Sequence, residues 1–176
     1  MTYKNQSQMI DYIKGSVTEI NPTEVILECS GIGYRILISL QTYEGLNGKS
    51  DAKVYIHHYI REDEELYYGF STKDERELFR LLISVSGIGA STARMMLSSL
   101  TSDEIRNAIL AEDLNKIKSI KGIGTKSAQR LILELKDKIV SLGIAQELHA
   151  TPGTPAATNV NGEIRDEAVA ALTALG

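Results

Sequence analysis

The residues with the clearest chemical potential are two copies of Gly-Ile-Gly, at Gly87-Ile88-Gly89 and Gly122-Ile123-Gly124, each followed by a helix-like run. Aligned, they share one template: apolar, two residues, apolar, one residue, Gly-apolar-Gly, three residues, Ala, then an apolar helical position. The first copy fills it with Leu82, Val85, Gly87, Ile88, Gly89, Ala93 and Met96. The second uses Ile117, Ile120, Gly122, Ile123, Gly124, Ala128 and Leu131. Seven matched positions at an offset of 35 residues constitute an internal repeat.

The template suits anion capture. Paired glycines let the backbone turn sharply and approach a ligand without a Cβ in the way. The helix that follows aims its unpaired N–H groups and the positive end of its dipole into the turn. A nucleic-acid phosphate is the natural ligand. The candidate contacts are Gly87, Ile88, Gly89, Ala90 and Ser91 with Arg94 in the first copy. In the second they are Lys121, Gly122, Ile123, Gly124, Thr125 and Lys126 with Arg130. A single copy reads equally well as a plain corner between two helices, with Gly capping the first; the repetition favours the phosphate.

Such turns need helices to hold them, and residues 73–145 read as a helical domain. Lys73-Asp74-Glu75-Arg76 opens a helix with Ser71 or Thr72 as N-cap and acids in the first turn. Leu78, Phe79, Leu82 and Ile83 form its apolar face. Further helices are expected over Ser91–Leu100, over Ile105–Glu112 behind a Thr101-Ser102-Asp103-Glu104 cap, around Leu114–Ile117, and over Ser127–Leu142, ended by Gly143.

Ahead of them, residues 9–72 read as strands. Short β-branched runs at Val17–Ile20, Val25–Leu27, Tyr34–Ile38, Lys53–Ile60 and Glu65–Phe70 are separated by turn residues such as Asn21-Pro22-Thr23. A third Gly-Ile-Gly, Gly31-Ile32-Gly33, lies between strands without the downstream Ala and helix, and is assigned a hairpin turn and no phosphate. Short strands at this density suggest a small β-barrel of the oligonucleotide-binding (OB) type. The fold class is therefore α+β, an OB-like barrel followed by tandem helix-hairpin-helix motifs. Residues 1–8 are polar and patternless and read as a tag or disordered extension; 146–162, with Pro152 and Pro155, read as a flexible linker; 163–176 resume a helix.

Net charge is −4, which argues against a DNA binder until it is divided by segment. Residues 9–79 carry 7 Lys+Arg against 13 Asp+Glu, whereas residues 80–140 carry 10 against 6. The repeat is the basic part of an acidic chain. Cys29 is alone and sits in an apolar run, which suits a buried structural thiol. His57, His58 and His149 form no metal-like grouping with it. No Gly-x-x-x-x-Gly-Lys-Ser/Thr loop is present, so any ATP hydrolysis belongs to a partner. Neither a membrane span nor a signal peptide is recognisable, and a cytoplasmic location is expected.

Between the last two strands lies Arg61-Glu62-Asp63-Glu64-Glu65. Consecutive carboxylates repel one another, and a solvated hairpin tip is the plain explanation. The ordered set of motifs adds another. Met9-Ile10 with Lys14-Gly15, Gly31-Ile32-Gly33-Tyr34, Arg61-Glu62-Asp63, Tyr68-Gly69-Phe70, both hairpins and Glu167-Ala168-Val169-Ala170-Ala171-Leu172 resemble, over nearly the full length, the RuvA family of Holliday-junction-binding subunits.

That resemblance implies a non-catalytic subunit of a branch-migration helicase complex in DNA recombination, repair and the SOS response. It implies a homotetramer, or an octamer of two tetramers, holding four-way junction DNA open and square. Each subunit's hairpins would grip minor-groove backbones. Glu62 and Asp63 would form an acidic pin at the junction centre, a strongly negative feature that disfavours bound duplex, with Arg61 close to the junction backbone. The RuvB ATPase and RuvC resolvase are the implied partners. No cofactor is expected, since ATP and Mg would be used by RuvB. Residues 163–176 then correspond to the first helix of an incomplete RuvB-binding domain. Ala90 and Ser91 stand where the family often has Pro-Lys, and Thr125 where a second Lys is common, which shifts weight to backbone N–H groups and to Arg94, Lys126 and Arg130. A helix-hairpin-helix glycosylase or nuclease is the alternative; it needs a catalytic Lys or Asp beyond the hairpin or clustered metal carboxylates, and Lys136 and Asp137 are the residues in that place.

Overall fold

The computed structural model describes residues 10–149, with side chains described as far as 141. The expectations for residues 1–8, for 163–176 and for most of 146–162 lie outside the described residues.

The strands are β1 (Tyr12–Asn21), β2 (Glu24–Cys29), β3 (Ile32–Ile38), β4 (Asp51–Ile60) and β5 (Glu65–Phe70). They close into a barrel in the order β1-β2-β3-β5-β4. All neighbours pair antiparallel except β3 and β5, which run parallel through Leu37 and Ile38 against Tyr68 and Gly69. Closure removes both sheet edges. Alternation places Val25, Leu27, Ile36, Ile38, Val54 and Ile56 inside, all essentially inaccessible to water. The expected hairpin turn at Gly31 is present: Ser30 and Gly31 both have positive φ, as a two-residue turn matched to strand twist requires. Cys29 is half-buried against the barrel core rather than fully buried, because it ends its strand.

One element was not foreseen. Residues between β3 and β4 contain α1 (Leu40–Leu46), where only a connection between strands was expected. Ser39 caps it by accepting from the Thr42 N–H.

The helical half holds α2 (Lys73–Ile83), α3 (Ala90–Ser99), α4 (Ser102–Leu110), α5 (Leu114–Lys118) and α6 (Thr125–His149). Thr72, not Ser71, is the N-cap of α2. Thr101 and Glu104 form a reciprocal capping box on α4. The expectation that Gly143 ends the last helix is corrected, since α6 continues through it to His149. Glycine inside a helix costs only about 1 kcal/mol relative to Ala, and Ala145, Gln146, Glu147 and Leu148 all favour helix. Residues 146–149 are accordingly helix, not linker. Residues 10–143 lie in one compact unit.

Barrel and helices meet at a shared aromatic seam. The Phe79 ring of α2 lies 5.2 Å from Tyr68, 4.9 Å from Phe70 and 5.2 Å from His57. Burial there, with the positive charges of Arg80 and Arg76 next in importance, pushes the His57 pKa down to about 4, so the ring is neutral in the seam.

Candidate nucleic-acid interface

The repeat is reproduced bond for bond in the backbone. In the first copy the Val85 N–H donates to Leu82 O (3.2 Å), Ile88 to Val85 O (3.0 Å) and Ala93 to Gly89 O (2.9 Å). In the second, Ile120 donates to Ile117 O (3.3 Å), Ile123 to Ile120 O (3.2 Å) and Ala128 to Gly124 O (2.9 Å). Gly87 has φ +93° and Gly122 φ +90°, a region that side chains rarely adopt. The apolar template positions are all buried. They anchor each hairpin from beneath, while Gly87, Gly89, Gly122 and Gly124 remain exposed.

The first hairpin leaves donors for an outside acceptor. Helices α1, α2, α4 and α5 are capped by the side chains of Ser39, Thr72, Thr101 and Asp113. At α3 the cap is Gly89, with no side-chain hydrogen bond. Its first N–H groups have no acceptor from the cap, and a Cβ built on Gly89 would meet nothing within 4 Å. Gly124 precedes α6 in the same place, with the same open space. A phosphate oxygen fits this combination of open approach, oriented N–H groups and helix dipole.

The hairpins are neighbours. A Cβ on Gly87 would lie 3.9 Å from the Ser127 hydroxyl, and a shallow cleft is lined by Ser86 and Gly87 on one side and Lys126, Ser127, Gln129 and Arg130 on the other. Ser86, Ser127 and Gln129 were not singled out from the sequence, although Ser127 occupies the repeat position of Thr92 and could have been found by extending the alignment. Lys121, Thr125, Lys126 and Arg130 are exposed, as phosphate contacts must be. Arg130 shares an exposed ion pair with Glu134 (3.4 Å), the weak kind that a phosphate can displace.

Two expected contacts of the first hairpin, Arg94 and Ala90, face inward. Arg94 donates to Thr23 O in the β1–β2 turn (2.9 Å) and so braces α3 against the barrel. Ser91 is exposed at the start of α3, and burial raises the pKa of the neighbouring Tyr68 hydroxyl. Ala90 is buried.

At the far end of β5, a tight turn closed by the Arg61 N–H to Glu64 O (2.8 Å) carries Glu62 and Asp63 at its tip, both exposed. Glu65 is engaged by His58 (2.8 Å). Among the described residues no cation pairs with Glu62 or Asp63, so their charge is unspent. The Arg61 guanidinium sits 5.0 Å from the Tyr59 ring, holding its stem back along the hairpin.

Lys136 is ion-paired to Glu112, and that bond raises its pKa, the opposite of what a nucleophilic lysine requires. Among the described residues no group of His, Cys, Asp and Glu could hold a metal ion, and no helix is long and apolar enough to cross a membrane.

Fold and site together define a class, the tandem helix-hairpin-helix DNA-binding proteins, here with an OB-like barrel in front. Residues 9–69 match the family model described as RuvA N terminal domain, and 79–137 match the SAM-like Helix-hairpin-helix tandem. The Holliday junction branch migration complex subunit RuvA of Bacteroides fragilis is 49% identical over 96% of this chain and 84% of its own. The proteins of the same name from Bacteroides thetaiotaomicron and Christiangramia forsetii are 47% and 49% identical, again over 96% of this chain and over 84% and 83% of theirs. The chain belongs to the RuvA family.

Proposed function

We propose that this protein binds four-way DNA junctions as the junction-recognising subunit of a branch-migration complex. The observation that carries the reading is the coexistence, in one compact unit, of a duplicated Gly-Ile-Gly hairpin and an acidic tip that no cation among the described residues pairs. The hairpins attract any nucleic-acid backbone, by N–H groups and by Lys121, Lys126 and Arg130. Glu62 and Asp63 repel it, at roughly 1 kcal/mol per charge pair at 4 Å in water and more where solvent is excluded. A continuous duplex laid across the protein meets both. An open junction, whose arms leave a central hole, meets only the grip. Around a four-fold axis, four copies of the tip would occupy that hole, which is why a homotetramer belongs to the proposal. The subunit performs no chemistry itself; ATP and Mg are used by a RuvB motor that drives the arms, with RuvC resolving the product. All of this takes place in the cytoplasm.

The test is a binding comparison between a four-way junction and linear duplex of equal length, at two salt concentrations. The junction should be bound at concentrations where duplex stays free, and equal affinities would overturn the reading.

A further inference from the structure

We infer that Glu75 and Arg76 are positioning residues for substrate choice, fixing the angle between barrel and helical domain and so the place of the acidic tip relative to the hairpins. The inference rests on the junction-binding reading above.

The chain passes from β5 to α2 through Ser71 and Thr72 alone. The acidic turn, β5, α2 and the first hairpin are therefore consecutive parts of one lever. A link this short leaves only a few soft dihedrals, and contacts across it decide the angle. Those contacts are two adjacent buried charges. Glu75 is fully buried, and its carboxylate accepts from Ser39 Oγ (2.7 Å), Thr42 Oγ1 (2.7 Å), Ser71 N (3.2 Å) and Ser71 Oγ (3.1 Å). Arg76, 5% exposed, donates from Nη1 to Asp11 O (2.8 Å), Asp11 Oδ1 (2.7 Å) and Ile56 O (3.3 Å). One residue ties α2 to the β3–α1 corner, and the next ties it to Asp11 just ahead of β1 and to β4.

Burying charge is costly, and apolar side chains of similar volume would often join two layers at least as firmly. What a nest of directed donors adds is orientation: each bond weakens steeply as its angle departs from linear. Orientation matters here because β5, at roughly 3.3 Å per residue, is about 20 Å long. A rotation of about 10° at its base moves the tip about 3 Å, enough to change its repulsion of a nearby phosphate substantially. The hairpins' attraction for duplex does not depend on where the tip stands; the penalty imposed by the tip does. Loss of the nest should therefore alter selectivity before it alters grip. Other ties across the seam, from the Leu40 N–H to Ser98 Oγ (3.1 Å), from the Ser102 N–H to Gln41 Oε1 (3.1 Å), and from Arg94 to Thr23 O, keep the two parts joined when one is lost.

Glu75→Gln is nearly isosteric but sets an amide N–H₂ against donors. The experiment measures affinity for junction and for equal-length duplex in four full-length proteins: the parent, Glu75→Gln, Glu62→Gln with Asp63→Gln, and all three together. Glu75→Gln should lower the junction-to-duplex ratio by about fivefold, the scale of one ordinary hydrogen bond. With the tip neutralised it should change the ratio less than about twofold, since a misplaced neutral tip repels nothing. An equal change in both backgrounds, or none in either, overturns the inference and leaves Glu75 a purely structural residue. A parent with no junction preference overturns the reading beneath it as well. Should Glu75→Gln fail to fold in a thermal melt, Thr42→Val and Ser39→Ala each remove one donor from the same carboxylate, and the same comparison decides.

Discussion

The two hairpins share a backbone and differ in charge. Every cation around the second has a neutral counterpart 35 residues earlier: Lys121 answers to Ser86, Lys126 to Ser91 and Arg130 to Met95. The first hairpin's own cation, Arg94, is turned onto Thr23 O in the barrel and faces Gln129 in the repeat. Yet the bonds that close the turns are the same in both copies to within about 0.2 Å. In the proposed function, phosphate capture by N–H groups thus belongs to the duplicated backbone. Electrostatic attraction, with its dependence on salt, belongs to one copy. In the cleft between them, Lys126 and Arg130 stand across from Ser86 and Gly87, so the charged copy also serves the neutral one.

The strongest way to break this comparison is to strain one backbone at a time. Valine at a positive φ costs on the order of 1–2 kcal/mol and distorts the turn, while nothing within 4 Å of Gly122, and only Ser127 Oγ near Gly87, would clash with the added Cβ. Gly87→Val and Gly122→Val should each weaken junction binding about tenfold or more, by similar factors, with little change in helix content by circular dichroism. If Gly87→Val leaves binding intact, the first hairpin is only a corner between helices.

This near-equivalence was legible in the sequence because local patterns generate it: two glycines, a buried Ala and an apolar spacing of helical period. The barrel was legible for the same reason, from period-two alternation in runs such as Tyr34–Ile38. What stayed hidden depends on contacts distant in sequence. Helix α1 is short and contains Thr42 and Gly45, both weak helix formers, and its cap Ser39 and first turn are held by Glu75, 33–36 residues away. Ser39 just before a Leu40-to-Tyr43 spacing was the only local hint. The inward turn of Arg94 spans 71 residues, and no spacing rule could have separated it from the exposed Lys126.

A milder perturbation sharpens the electrostatic half of the comparison. Lys126→Ala and Arg130→Ala each remove one phosphate-neutralising cation, and each should flatten the slope of log affinity against log salt by about 0.9 on duplex arms. Met95→Ala, at the position matching Arg130, should leave that slope unchanged. Titrations of junction binding at several salt concentrations read both quantities. A flattened slope in the Met95 variant would show that the first copy contributes to the salt dependence by a route other than side-chain charge.

The smallest expected effect comes from making the copies alike. Ser91→Lys places an ammonium at the position matching Lys126, on the first turn of α3 beside the uncapped N–H groups. Two consequences oppose each other. The new cation adds one phosphate contact and should steepen the salt slope by about 0.9. It also sets a cation in the first turn of α3, against the positive end of the helix dipole, at a cost of about 0.5–1 kcal/mol in stability. Affinity at low salt should therefore rise only about two- to fivefold, while the melting temperature falls by a few degrees. The two readouts separate the causes. A steeper slope with lower stability means that a neutral Ser91 gives up a phosphate contact in exchange for a more stable first turn of α3. An unchanged slope would mean that no phosphate comes near the first turn of α3, and the duplicated backbone would then hold DNA at one copy only.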